Sequence, residues 1–459
     1  MIDGDFFCSK RNRIAALAMA AASLGMPAAM AAPADAVSLD VHSGIALALK
    51  QNPALMASEM DVSSADASLS EARAALFPRV DLRSTAMKTN SPLNVFGTKL
   101  LQQSVTANDM ALTTLNNPTA ITNYQNSVTA SLPVFTGGAN LGRIDAAQYG
   151  LQASEHANAM QKQRVIFQVI RSFAGLEAAR AMRTVAVQAQ KSAGEHLRVA
   201  NSLFARGMVV KSDVLNAKVH LEDSQLAVIT AANAEARMLD HIRALLNLDT
   251  GSTLNIREGV DIPVPSQDLA QLTDAALHKR PDLLALRSQG EAAEAGSTVA
   301  RAGMFPHVNL VATEEWNDPH WRLRHSNYQI AAMVDLNVFA GGRDRAAMEK
   351  AKAKRARLEF QLIDKTRQVE NEVADAFRGL HEADQRLQSR KEALTQAEES
   401  LRITDSRYKA GLERMADLLL VQTQLDQARA DVIQARFDQV VTRARLYLAT
   451  GQLTPEVLQ

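Results

Sequence analysis

"SLPVFTGGANLGR" occupies 131–143, and "DLNVFAGGRDRAA" occupies 335–347, 204 positions later. Both stretches run through alternating apolar residues to an aromatic, a pair of glycines, and then a helix-forming segment. The alternation is that of a strand with one apolar face. Gly137 and Gly138, like Gly341 and Gly342, fall where such a strand must turn sharply into a helix, and glycine takes the required dihedrals without steric cost. No proline interrupts the chain from there to Ala205, or to Ala410 in the second copy. About 65 helical residues at 1.5 Å each reach roughly 100 Å. Gly207 and Gly411 then turn the chain back into helices of about 40 residues ending near Leu248 and Leu448.

Working outward, "LALKQNPALMASEMDVSSADASLSEARAALFPRVDL" (47–82) lies over "AALHKRPDLLALRSQGEAAEAGSTVARAGMFPHVNL" (275–310), with Pro53 on Pro281, Phe77 on Phe305 and Pro78 on Pro306, at an offset of 228. Past the glycine pairs the offset is 204, with Gly207 on Gly411 and Asp213 on Asp417. The change places a 24-residue excess in one loop of the first half. The chain is two copies of one unit, 32–250 and 269–459, joined by a linker at 251–268. Each unit opens with a helix expected over 41–76 or 269–304, stopped by Pro78 or Pro306, because the residue before proline resists helical dihedrals. Two strands follow, expected at about 79–88 and 124–135, then at about 307–316 and 327–339. Val128, Ala130, Leu132 and Val134 alternate with Gln125, Ser127, Thr129 and Ser131; Tyr328, Ile330, Ala332, Val334, Leu336 and Val338 repeat the pattern.

Composition agrees with long helices: only 4% of the 459 residues are aromatic, while Ala, Leu, Gln, Arg and Glu crowd stretches without glycine or proline. Fifty basic and fifty acidic residues leave no basic face for nucleic acid and no polybasic arm. Lys10, Arg11 and Arg13 precede an apolar run of 14–26 and the small-x-small pattern Ala29-Met30-Ala31, the layout of a signal peptide over 1–31. Thirteen residues are too few to cross ~30 Å of hydrocarbon as a helix. Cleavage there would remove Cys8, the single cysteine, and with it any disulfide, reactive thiol or N-terminal lipid. There is no HExxH, no GxSxG and no Gly-rich phosphate loop, so neither an enzyme nor a cofactor is expected. The pair His320 and His325 lacks the carboxylate or cysteine companions of a metal site.

Strands with one apolar and one polar face must find partners, and in a membrane they must close, because open edges leave backbone groups unsatisfied. Phe96, Tyr124, Phe135, Trp316, Trp321, Tyr328 and Phe339 gather near the strands and suit interfacial girdles. A small soluble sandwich capping a coiled coil explains the alternation equally well, but not an export signal with so meagre a core.

The doubled order of helix, FP, strand, loop, strand, VFxGG, long helix, a turn written "YKAGLERMADLL" and return helix resembles the TolC family of outer-membrane efflux proteins, over essentially the whole chain past the signal. The resemblance implies a mainly α protein with a membrane β-barrel. Three protomers would give four strands each to a twelve-stranded barrel, continued by an α-helical barrel across the periplasm. It further implies a passive exit duct embedded in outer-membrane lipid, with a periplasmic adaptor and an inner-membrane transporter as partners. By the same resemblance, Gly207, Met208, Gly411 and Leu412 form the adaptor-docking tip, and Asp417 lines the constriction, where three-fold symmetry would gather three mutually repelling carboxylates. Departures from the family pattern stand nearby: Leu420 replaces a second acidic ring, and Glu413 replaces a basic residue, with Arg414 one step out of register. A link from Tyr408 to Asp213 is expected to help close the tip. The excess loop, 89–122, is expected outside the cell. The rival reading is a periplasmic coiled-coil adaptor or scaffold, which would carry one hairpin between β-rich domains. A passive duct need not recognise its cargo, and these residues select none among drugs, metal ions and polypeptides.

Overall fold

The structure, a computed structural model, describes residues 37–257 and 259–458. The expected signal peptide and Cys8 lie outside the described residues. In chain order the first half runs β1 (Val37–Leu39), α1 (Val41–Gln51), α2 (Pro53–Ala74), β2 (Arg79–Thr89), α3 (Pro92–Leu101), α4 (Leu112–Asn116), β3 (Ile121–Thr136), α5 (Ala139–Ala205) and α6 (Lys211–Leu245). After β4 (Leu254–Ile256), the second half runs α7 (Leu269–Lys279), α8 (Pro281–Ala302), β5 (His307–Asp318), β6 (Ser326–Asp335), α9 (Arg343–Lys409) and α10 (Met415–Ala449).

The repeat holds residue for residue in the helices. Both α5 and α9 have 67 residues, and both α6 and α10 have 35. Their ends fall 204 positions apart, while α1, α2 and α7, α8 match at 228. At 1.5 Å per residue the long helices span about 100 Å.

The single helices expected over 41–76 and 269–304 are each broken in two. Pro53 and Pro281 sit at the first positions of α2 and α8 and push the preceding residues, Asn52 (ψ 123°) and Arg280 (ψ 120°), into extended backbone. The helices before them start on capping boxes, Asp40 with Ser43 and Asp268 with Gln271.

One sheet has the order β2-β3-β5-β6, antiparallel throughout, with β2 and β6 as open edges. Three of the expected strands extend one to three residues beyond their sequence-based bounds, whereas β6, starting at Ser326, stops at Asp335 instead of 339. Its partner β5 begins at His307, paired with Asp335, directly after Pro306, so the backbone of 336–339 has no strand alongside it. Val338 and Phe339 are left 89% and 86% exposed. Beyond the four expected strands, β1 and β4 pair in parallel, Leu39 opposite Ile256, and with Val260 and Ile262 they turn part of the linker into core.

Burial concentrates in three places. The largest core joins α1, α5, α6, the linker and the end of α10 around Ile45, Ile170, Ile242, Ile262 and Leu453. A second, around Leu272, Leu283, Val373 and Leu446, serves the second repeat. A third lies at the far end of the hairpins, around Leu203, Tyr408, Met415 and Leu418.

Candidate functional site: barrel wall and helical tip

At the sheet's lower end the junctions are built as the glycine pairs require. Gly137 and Gly138 have φ of 62° and 88°, Gly341 and Gly342 59° and 86°. The second glycine of each pair is the N-cap of a long helix. The turn leading into Phe305-Pro306 packs on the first of these junctions: a Cβ on Gly137 would stand 2.6 Å from the Ala302 carbonyl oxygen and 2.8 Å from the Phe305 Cβ. Backbone meets backbone there, so glycine is needed for space as well as for dihedral.

The strands expose large apolar side chains in quantity. Val80, Leu82, Tyr328, Ile330 and Val334 are all more than 60% exposed. Polar side chains bond across the strands instead: Gln125 Nε2 donates to Glu315 at 2.6 Å, and the hydroxyls of Thr129 and Thr313 lie 3.1 Å apart. At the opposite end from the helices, the Tyr124 and Trp321 rings lie 6.0 Å apart.

The excess loop is folded. Its helix α3 is fastened to the 3-10 turn Ala107–Met110, just ahead of α4, by Lys99 Nζ to Asp109 Oδ1 at 2.5 Å, and Asp109 also accepts from the backbone and hydroxyl of Thr106. The Lys99 ammonium, followed by these Thr106 bonds, pulls the Asp109 carboxyl down to about 2. A chain of amides ties the loop to the sheet: Gln102 Nε2 donates to Asn123 at 2.9 Å, and Asn123 Nδ2 to Asn317 at 2.8 Å. His320 Nδ1 lies 3.7 Å from Asp318, and no metal-binding group of three or more acidic, His or Cys side chains occurs among the described residues.

At the far end of the hairpins both turns are Schellman motifs. Met208 N–H donates to the Leu203 carbonyl and Gly207 N–H to Phe204; Leu412 donates to Arg407 and Gly411 to Tyr408. Gly207 and Gly411 take φ of 69° and 72°, the left-handed conformation that this cap needs. The turns adjoin, since a Cβ on Gly411 would lie 3.4 Å from Met208 Cε. Met208 and Leu412 present 53% and 70% of their surface to solvent.

The three residues expected at the constriction have different surroundings. Tyr408 is 1% exposed, packed with Ala200, Leu203, Ala217, Met415 and Leu418. Its hydroxyl has no hydrogen-bond partner, so within the protomer the expected bond to Asp213 is not made. Burial first, and then the Asp213 charge, raise the phenol's pKa and keep it neutral. Asp417 is held by Arg414, Nε to Oδ2 at 2.9 Å and Nη2 to Oδ1 at 3.2 Å, while Arg407 Nε reaches Glu413 at 2.9 Å. Arg414, the N-cap residue of α10, thus pairs with Asp417 in the first turn of that helix. Their spacing, i and i+3, was the available signal.

Above this apolar tip lies a polar layer that sequence reading did not single out. His196 of α5 faces Gln422 of α10, with Nε2 to Oε1 at 3.4 Å and the two residues 8% and 1% exposed. They stand 226 positions apart, and no local pattern connects them.

Comparison with known proteins accounts for both halves of this architecture. The family described as outer membrane efflux protein matches residues 44–248 and 272–452. The pyoverdine export outer membrane protein OpmQ of Pseudomonas aeruginosa is 26% identical over 345 residues, 72% of this chain and 70% of that protein. The protein CyaE of Bordetella pertussis is 28% identical over 431 residues, 92% and 86% of the two chains. The Campylobacter jejuni CmeC outer membrane channel superposes with a TM-score of 0.77 at 16% identity, over 90% of this chain and 85% of that one. The chain belongs to the outer membrane efflux protein family, and it is an exit duct of the outer membrane whose helices extend into the periplasm rather than a coiled-coil adaptor.

Proposed function

We propose that three copies of this chain close into a twelve-stranded barrel and a continuous helical duct. The duct receives cargo from an inner-membrane transporter through a periplasmic adaptor docked at the tip. The observation that carries closure between copies is the parity of the sheet; the number three rests on the family resemblance, with four strands from each copy. Four antiparallel strands leave β2 and β6 running in opposite directions at the two edges. The β6 edge of one copy therefore extends antiparallel pairing to the β2 edge of the next, and three repetitions return to the start. In hydrocarbon an unclosed edge would leave its amides and carbonyls without partners. The exposed apolar wall residues then face lipid, and the loop of 89–122 faces the exterior.

The adjoining turns Gly207-Met208 and Gly411-Leu412 offer an adaptor two exposed apolar side chains on rigid caps. Asp417, Asp213 and Tyr408 belong to the constriction. Asp417 acts with Arg414 as a charged ring around the axis, and Tyr408 acts through packing.

Outer-membrane fractions should yield a trimer in gels of unheated samples that falls to monomer on boiling. In the variant Met208→Glu with Leu412→Glu, that trimer should persist while export is lost. A soluble periplasmic monomer would remove the duct assembly; export unchanged in the double variant would remove the turns from the docking surface.

A further inference from the structure

Where α5 and α6 of the first hairpin meet α10 of the second, just above the apolar tip, titratable groups replace the core. His196 is 8% exposed, with its Nε2 3.4 Å from Gln422 Oε1. Gln422 Nε2 is committed to Asp426, 3.0 and 3.1 Å from the two carboxylate oxygens. On α6, His220 has a buried Nε2 with no hydrogen-bond partner. So two imidazoles from the two helices of one hairpin, and a carboxamide and carboxylate from the other, make the joint between the hairpins.

We propose that His196, packed beside His220, makes this joint sensitive to protons, so that acidification of the periplasm loosens the packing of the first hairpin against α10. Of the groups facing His196, Asp405 of α9 would welcome an imidazolium, whereas Lys409 of α9 and His220 of α6 oppose it. Its own helix adds Glu195, but that carboxylate is already paired with Arg198 at 2.8 Å. On α10, Asp426 also has Arg429 at 3.9 Å, which in turn lies 3.7 Å from Glu398 of α9. Burial outweighs the favourable partners and holds the His196 imidazole below its usual 6.5.

The sign follows by linkage. A histidine whose folded pKa is depressed favours the packed state above the unfolded pKa, and that contribution is lost as pH falls below it toward the folded value. Asp426, raised by burial, works in the opposite sense, gaining as it protonates, and so offsets part of the histidine's effect. A cavity of about 520 Å³ bordered by His196, Lys191, Glu195 and Asp405 gives water a route to the ring. Because the outer membrane passes protons, the joint would report external pH.

The test is hydrogen exchange on the full-length protein in detergent, at pH ~7.5 and ~5.5, with times scaled for intrinsic exchange. Segments carrying His196, His220 and Gln422 should exchange about tenfold faster at the lower pH, while the core around Ile170 is unchanged. In His196→Gln with His220→Gln the difference should shrink to less than about twofold. Equal loosening in that variant, or none in the parent, overturns the proposal. Should the double variant fail to assemble, the His196 ring can be titrated by NMR in the parent, and a midpoint at or above 6.5 is equally fatal. Protection of the same segments by added zinc at the higher pH would make the cluster a metal site and also overturn it. The proposal uses the joint and not the gate: loosening of these segments supports it whether or not channel conductance changes, and the constriction assigned above is tested separately.

Discussion

The side-chain amide of Asn52 donates to the carbonyl of Leu245 at 2.8 Å, fastening the break between α1 and α2 to the end of the return helix α6. The second repeat makes the same joint with a different residue: Arg280, 228 positions on, donates from Nη1 to the carbonyl of Ala449, 204 positions on, at 3.2 Å. In each case a residue thrown out of the helix by the following proline satisfies a carbonyl that a helix end leaves orphaned. The difference is charge. Arg280 is 3% exposed and must be neutralised, which it achieves through Asp282 (2.9 and 2.8 Å) and Glu372 (2.5 Å), with Lys365 3.1 Å from Asp282.

This asymmetry gives unequal costs. Asn52→Ala deletes that donor to a buried carbonyl and also the side-chain cap that accepts from the Leu55 N–H, and should cost about 1–3 kcal/mol. Arg280→Met also strands Asp282 on Lys365 alone, for which about 3–5 kcal/mol is the usual scale, and the half-exposed Glu372 holds it to the lower end. Thermal unfolding of the purified variants checks this: the midpoint should fall further for Arg280→Met. Equal shifts would mean that the ion pairs add nothing to the shared hydrogen bond.

The glycine pairs divide in a similar way. Gly137→Ala meets both a left-handed φ and the Ala302 carbonyl at 2.6 Å, whereas an alanine at Gly341 has nothing within 4 Å and faces only the dihedral, about 1–2 kcal/mol. The amount of assembled protein in outer-membrane fractions should therefore drop sharply for Gly137→Ala and modestly for Gly341→Ala. Similar losses would show that strain alone decides at these junctions.

The junctions and turns were legible in the chain because each depends on a residue whose backbone is unusual, and Pro78, Pro306 and the paired glycines recur at constant offsets. What escaped depends on partners distant in sequence. Three-residue strands such as β1 and β4 carry too little periodicity to register, and β6 ends early because its neighbour ends, which its own alternation through Leu336 and Val338 does not reveal. Asn52 and Arg280 look unrelated as letters, and only the carbonyls they reach show them to be equivalents. At the tip, the sequence names the turns and the residues around them, but which groups bond there is decided by packing.

That distinction can be measured at Tyr408. Its hydroxyl is buried without a partner, so Tyr408→Phe removes an uncompensated polar group and keeps the ring against Leu203, Met415 and Leu418. Stability should change by no more than about 1 kcal/mol, and single-channel conductance in planar bilayers should match the parent. Leu418→Ala, at a fully buried position, should instead cost about 2–5 kcal/mol and raise conductance or its fluctuations as the tip packing loosens. If Tyr408→Phe raised conductance and Leu418→Ala did not, the assembled duct would have given the hydroxyl a partner, Asp213 being the carboxylate whose charge already acts on the phenol, and hydrogen bonding rather than apolar packing would hold the tip.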